Sequence, residues 1–494
     1  MIAHVIQGGA SHRVSCAREK LTQSDWLGAA DLLPAARIEQ AMQDEGVKPY
    51  QCLYTVPVTV WTFLTQVLGP DRCCRAAVAK LLAAVSFLNQ RQCSGPDTAQ
   101  DPSSRVPNRK IADDVEPDTG PYCKARDRLP VGLLARLARR AGADLHQRYP
   151  SGRLLGGRKV KMVDGTVVSM PDTPGNQASF PQPHTQKPGL GFPIMRVVAV
   201  LSLYGAAVLD IATGPYKGKG SGEATLFRGL LQGLETGDVI LADRYYASYW
   251  LIAMLAQRGV DCLMRQHQHR RVDFRRGRRL GRDDHIIKIP KPRQMPDWMD
   301  EATYKQLPDE LEVREVRVHV AIKGFRVKTL VAVTTLLDAQ TYSKQEIGNA
   351  LRCRWHIELD LRSIKQTMEM TTLRCKSPER VVKEIWMYML AYNLIRAAMA
   401  EAANLAGAEP REVSFAGALQ TLVAFAPALR MAGDVDLPRL WEIVLRAIAR
   451  HRVGDRPDRY EPRAVKRRSK PIAILTVPRQ KAKKRLARSA AAKC

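Results

Sequence analysis

Along the first hundred residues, apolar positions recur every three or four places, the period of helices with one buried face. Ser24-Asp25 supplies a cap before WLGAADLLPAARIEQAM. A second helical stretch runs from Val58 to Leu88 with a break at Gly69-Pro70. Residues 94–121 are polar and rich in Gly, Pro, Asp and Ser, which predicts a linker or mobile loop. A short helix follows from Pro130 to Gln147.

The pattern changes at Arg158. RKVKMVDG predicts a strand with a carboxylate at its C-terminal end, and IMRVVAVLSLYGAAVLDIATG a hairpin turning at Tyr204-Gly205. A helix (GEATLFRGLLQGL) precedes a buried strand, DVILAD, which again delivers an Asp at its end. A helix (ASYWLIAMLAQRG) and a strand (VDCLMR) follow. The order β-β-β-α-β-α predicts an α/β unit with a mixed sheet, not the strict alternation of a doubly wound fold. Residues 266–336 are basic and strand-rich, as expected of an inserted β subdomain. One long helix is predicted from Ser343 to Glu369, then helices near 378–404, 412–432 and 437–450.

Charge narrows the possible partners. Lys and Arg number 77 against 49 Asp and Glu, a formal +28, so nucleic acid is the leading partner, with ribosomal RNA and anionic membrane surfaces as competitors. Residues 452–494 hold 15 Lys and Arg against 3 acids and few large apolar residues, a tail expected to be disordered when free. The longest apolar stretch, Val197 to Leu209, is too short to span a bilayer, and the start lacks an export signal. A soluble cytoplasmic protein is expected, with no membrane partner. Ten cysteines without C-x-x-C spacing predict reduced thiols, not a zinc site. GKGSGE at 218–223 fails the spacing of a phosphate-binding P-loop. Trp26, Trp61 and Trp250 read as core residues.

Two acids stand in one context: Asp164 in VDGT and Asp243 in LADRYY each follow an apolar run and precede polar residues. Each could simply cap a turn. A carboxylate at a buried strand end is costly to desolvate, however, unless a cation or donor satisfies it. In LRCRWHIELDLRSIKQTMEM, Arg354, Glu358 and Lys365 fall within an arc of roughly 40° if one regular helix holds them. The plain reading is an exposed ion pair; the sharper one is an acid flanked by phosphate-holding cations. Three oxygen ligands suit Mg²⁺ or Mn²⁺, and two such ions about 3.5–4 Å apart can cleave a phosphodiester without a covalent enzyme intermediate. Asp210 is a weaker rival. Asp172 fits an Asx turn, and Asp360 points away from Glu358.

VDGTVVSMPDTPGNQASFP, GLGFPIMRVVAVLSLYGAAVLDIATGPYKGKGSGE, GDVILADRYYASYWLIAMLAQRGVD, the Arg-x3-Glu-x6-Lys helix and the closing RPDRYEPRAVKRRSKPI resemble bacterial insertion-sequence DDE transposases of the "insertion sequence four" type. The similarity covers most of the chain from Pro121 to Pro478 and is most specific between 160 and 265. It implies a ribonuclease H-like catalytic core at 155–265 and 337–405, interrupted by a β insertion at 266–336. Beside this core the residues themselves predict a helical N-terminal region, 1–150, expected to bind element ends, a helical region at 406–451 and a basic tail at 452–494. Asp164, Asp243 and Glu358 become the metal-binding triad, holding Mg²⁺ or Mn²⁺, with two ions per site. The implied reaction is cut-and-paste transposition of double-stranded DNA by a homodimer. The family motif Tyr-x2-Arg-x3-Glu-x6-Lys matches at Arg354, Glu358 and Lys365, but Leu351 stands where the family has a phosphate-contacting Tyr; Tyr342 or Trp355 are the possible substitutes. Arg265 to Arg282 holds eight arginines and two histidines. Arg270, Arg271, Arg275 and Arg276, with Arg244, are the candidate phosphate contacts. The alternatives are a ribonuclease H-like nuclease or resolvase without strand transfer, and a non-catalytic DNA-binding protein derived from a transposase.

Overall fold

The computed structural model describes residues 33–49, 52–92, 118–149, 152, 154–218, 220–319, 329–432, 435–454 and 475–491. The predicted helix start at Ser24-Asp25, nearly all of the 94–121 linker and the first part of the basic tail lie outside the described residues. Two compact units emerge, one of residues 148–362, 371–378 and 454–494, the other of residues 1–147, 363–370 and 379–453. This division differs from the boundaries drawn from sequence, since residues 379–405 group with the helical unit.

The first unit is built on one sheet. Its strands are β1 (Val160–Ser169), β2 (Ile194–Ser202), β3 (Val208–Pro215), β4 (Val239–Ala242), β5 (Asp261–Arg265), β6 (Arg278–Gly281), β7 (Asp284–Pro290), β8 (Glu310–His319) and β9 (Thr329–Thr334). Their order is β3-β2-β1-β4-β5-β9-β8-β7-β6. β1, β2 and β3 pair antiparallel, while β4 and β5 run parallel to β1. That is the arrangement of a ribonuclease H-like sheet. The expected β insertion is not a separate sheet. β9 pairs antiparallel with β5, Leu263 opposite Thr334, so the inserted strands continue the core sheet. The pairing satisfies backbone N–H and C=O groups that an edge at β5 would leave open.

The helix Tyr249–Gln257 starts where the Ser248 hydroxyl accepts from the Leu251 N–H at 3.3 Å. Leu251, Ile252 and Leu255 belong to a core that also contains Val163, Val198, Ile240, Ala242, Cys262 and Met264 from β1, β2, β4 and β5. At about 1.5–3 kcal/mol for each large buried aliphatic side chain, this packing is the principal force fixing the strand ends. The predicted helix 222–234 is shorter than expected: Glu223–Arg228, then a 3₁₀ turn, Leu231–Gly233.

The predicted helix from Ser343 to Glu369 is likewise not one regular helix. Lys344–Cys353 and Trp355–Arg362 meet at Arg354, whose φ of −52° and ψ of −32° stay helical, and a π-helical turn follows at Ser363–Thr367. A π turn takes more residues per turn than an α turn, so the angle between Glu358 and Lys365 departs from that of one regular α-helix.

The helical unit contains Ala35–Asp44, Val56–Leu68, Cys74–Gln92, Gly120–Arg128, Phe415–Met431 and Leu437–Arg450, with all but the last residue of Val131–Arg148 and all but the first of Pro378–Leu405. The break expected at Gly69-Pro70 is present. Pro378–Leu405 is buried nearly all round, and its Asn393 amide donates to the Ala138 carbonyl at 2.9 Å. The described end of the tail forms a helix over Arg479–Ala491. Among the described residues no helix is long and apolar enough to cross a membrane.

Candidate active site

Register brings the two aspartates together. β1 and β4 pair in parallel through Met162 and Leu241, and Asp164 and Asp243 each lie two residues beyond that pair. Both acids therefore leave the β1–β4 ladder at the same end, beyond its last paired residues. Asp164 is not at a strand end as predicted: β1 continues to Ser169 against β2, with Asp164 opposite Ala199. Only the pairing with β4 stops, and that parting of the strands opens the site. Asp243 precedes the 3₁₀ turn Arg244–Tyr246 without a side-chain capping bond, so the plain capping reading fails for it.

Glu358 lies on Trp355–Arg362, the helix packed against β1. The Arg354 guanidinium donates to Glu358 at 2.9 Å and lies 4.0 Å from Asp164. One cation thus serves two carboxylates from distant parts of the chain. Burial pushes the Asp164 carboxyl up to about 6; the Gly165 N–H, donating at 2.8 Å, and Arg354 oppose this, while the charges of Glu223 and Glu358 add to it.

Two residues outside the predicted set belong here. Arg265 ends β5 one residue beyond the Ala242–Met264 pair, in register with Asp243. Burial and the like charges of Arg244 and Arg354 hold its pKa down, against the pull of Asp243. Glu223 opens Glu223–Arg228, and its charge reaches Asp164. Its sequence signal is a glutamate one turn before the buried Phe227, on the inward face of a short helix.

The remaining candidates divide. Arg244 donates to Gln268 at 3.2 Å, beside the site. Arg270 lies 3.2 Å from the buried Glu315, which also accepts from Gln266 and meets His285 at 2.9 Å, so it is tied into the sheet extension. Arg271, Arg275 and Arg276 are exposed, the last two beside Asp273. Lys365 falls in the helical unit, on the π turn, where desolvation lowers its amine's pKa. Leu351 is buried on the inner face of its helix with Ile347 and Ala350. The Tyr342 hydroxyl accepts from Arg158 at 2.9 Å, and Trp355 is half-exposed. Of the rivals, Asp172 accepts from Gln177 at 2.7 Å and Asp360 is fully buried.

Among the described residues no three His, Cys, Asp or Glu side chains converge tightly enough to hold an ion as they stand. The chemistry of the group nevertheless fits a hard cation. Asp164 is desolvated among like charges, and the Arg354 guanidinium stands where a cation shared with Glu358 would be drawn. Asp164, Asp243 and Glu358 supply only carboxylate oxygens, the donors that Mg²⁺ and Mn²⁺ prefer.

A family model described as a transposase DDE domain matches residues 155–394, a span that includes all three acids. The transposase InsG for insertion sequence element IS4 of Escherichia coli (strain K12) is 30% identical over 370 residues, covering 72% of this chain and 78% of that protein. Among solved structures, a piggyBac transposase synaptic complex with hairpin DNA aligns over 88% of this chain and 85% of that one, at 9% identity and a TM-score of 0.36. The match to the IS4 enzyme over most of both chains places this protein among the IS4-type DDE transposases, enzymes that act on DNA.

Proposed function

We propose that the chain performs cut-and-paste transposition, hydrolysing the phosphodiester at each end of an insertion element and joining the freed 3′-hydroxyl to target DNA. Asp164, Asp243 and Glu358 would hold two Mg²⁺ or Mn²⁺ ions. Such a pair, when bound, activates the attacking oxygen and stabilises the leaving one. The single observation that supports this most is Arg354, which contacts both Asp164 and Glu358, with Asp243 leaving the β1–β4 ladder at the same end as Asp164.

The protein's own groups position the DNA. Asp164 and Asp243 project from a packed sheet, which fixes them better than loops would. Arg354, with Arg244, holds phosphate oxygens, for which a guanidinium's forked donors are suited, and Lys365 is a separate candidate phosphate contact. Arg270, Arg271, Arg275 and Arg276 follow the backbone beyond the cut. Residues 1–150 recognise the element ends, 155–265 and 337–405 carry the catalysis, and 452–494 add non-specific grip. A homodimer in the cytoplasm brings one active site to each end.

Asp243→Asn and Glu358→Gln are expected to lose strand cleavage with Mg²⁺ by at least about 100-fold, beyond the range for disturbing an outer-shell metal contact. Cleavage near the wild-type rate would remove them from catalysis. Given a pre-cut 3′-hydroxyl end and plasmid target, the wild-type protein should insert the end, which a nuclease or resolvase would not.

A further inference from the structure

Glu223 is a charged group near Asp164 to which the proposed reaction gives no task. Gly222 precedes it with extended backbone, and four residues later Phe227 is fully buried. The Phe227 ring meets the Tyr246 ring edge-on, centroids 5.7 Å apart at 89°. This anchor aims the first turn of the helix at β1. There the Glu223 carboxylate lies directly over Gly165, the residue after Asp164: a Cβ on Gly165 would come within 2.3 Å of the Glu223 Cδ. Gly165 has no positive φ to explain its identity. The close approach of the carboxylate does explain it.

The surroundings keep Glu223 in place without neutralising it fully. The Tyr246 hydroxyl is 3.5 Å from one oxygen, and Arg196 Nε is 3.8 Å from the other. Arg196 commits its stronger bond elsewhere, donating at 2.7 Å to the Ser221 carbonyl, and its buried Nε makes no hydrogen bond. The negative charge of Glu223 therefore remains felt at Asp164.

We propose that Glu223 is a positioning residue for the divalent ion: packed on Gly165, its carboxylate charge draws the cation onto Asp164 and favours it over Arg354 there. The inference rests on the ion-binding role proposed above for Asp164. The physical reason is that the ion must compete with a tethered guanidinium. Another negative charge held beside Asp164 favours the doubly charged competitor over the singly charged one.

The test is Mn²⁺ affinity of the full-length, metal-stripped protein without DNA, measured by calorimetry and by the electron paramagnetic resonance of free Mn²⁺, with far-ultraviolet circular dichroism reporting the fold. Glu223→Gln, which keeps the shape and removes the charge, should weaken Mn²⁺ binding roughly 10- to 100-fold, the range for outer-shell partners of metal sites. Glu223→Asp should recover part of that loss, and Tyr246→Phe should bind Mn²⁺ like the wild type. Arg196→Gln, which unmasks Glu223, should bind Mn²⁺ more tightly, an effect that damage to the fold does not produce. Wild-type affinity in Glu223→Gln, a Tyr246→Phe loss as large as that of Glu223→Gln, or unchanged or weaker binding in Arg196→Gln would overturn the proposal. Asp164→Asn separates the two levels. If it loses Mn²⁺ while Glu223→Gln keeps it, only the role of Glu223 fails. If it too binds like the wild type, the ion site itself is refuted.

Discussion

Asp164 is kept at a cost to the folded protein. Its carboxyl is raised from 3.8 to about 6, first by burial, so the folded state holds the proton more tightly than the unfolded chain does. Stability from that proton is fully present below pH 4 and is lost as the pH rises through about 6. A shift of this size corresponds to a cost on the order of 2–3 kcal/mol in the ionised form. Asp164→Asn should therefore be more stable than the wild type at neutral pH in chelator, with an advantage that grows between pH 4 and pH 6 and is level above. Thermal unfolding in EDTA across that range checks it, and a less stable variant at pH 7 would show that Asp164 is structurally required. Asp164 and Glu358 were visible in the sequence because strand and helix contexts exposed them. Glu223 was not, since its one local signal, a place one turn before Phe227, gains meaning only once Phe227 is known to be buried.

At the scale of elements, the site depends on how β1 and β4 are locked together. Lys161 on β1 meets Asp238, just before β4, at 2.6 Å, with side chains 5% and 0% exposed. Asp238 also accepts from the Glu235 N–H at 2.7 Å. This buried pair lies at the opposite end of the short parallel ladder from Asp164 and Asp243. Removing one partner leaves an uncompensated charge, so Asp238→Ala should destabilise the protein by about 3–5 kcal/mol in urea unfolding. The double change Lys161→Met with Asp238→Leu should lose less than Asp238→Ala alone; an equal or greater loss would mean that the pair contributes more than charge compensation. Hydrophobic periodicity gave the strands and the main helices well. It missed the join of β9 to β5, since pairing partners depend on residues some seventy positions apart. It also missed the interruption at Arg354 and the π turn, because neither alters the apolar pattern.

For the whole molecule the governing quantity is charge. The tail helix Arg479–Ala491 has six Lys and Arg, at 479, 481, 483, 484, 485 and 488, and no acid. If these track DNA phosphates, truncation after Pro478 should make affinity fall less steeply with salt, the log–log slope shrinking by about 0.9 for each phosphate that the tail no longer neutralises. Fluorescence anisotropy on a random-sequence duplex from 50 to 200 mM salt measures it, and an unchanged slope would exclude the tail from DNA binding.

The sequence by itself determined the class of fold, the two strand-borne aspartates, the Arg354–Glu358 pair and a polyanionic partner, because each follows from local periodicity, spacing or composition. Tertiary structure decided which of those groups share an environment. Strand register sent Asp164 and Asp243 out at the same end of the β1–β4 ladder, the helix packed on β1 gave Arg354 both carboxylates, and burial of Phe227 brought Glu223 over Gly165. Such relations are set by packing between segments far apart in the chain, where hydrophobic burial and hydrogen-bond satisfaction act on the whole core at once.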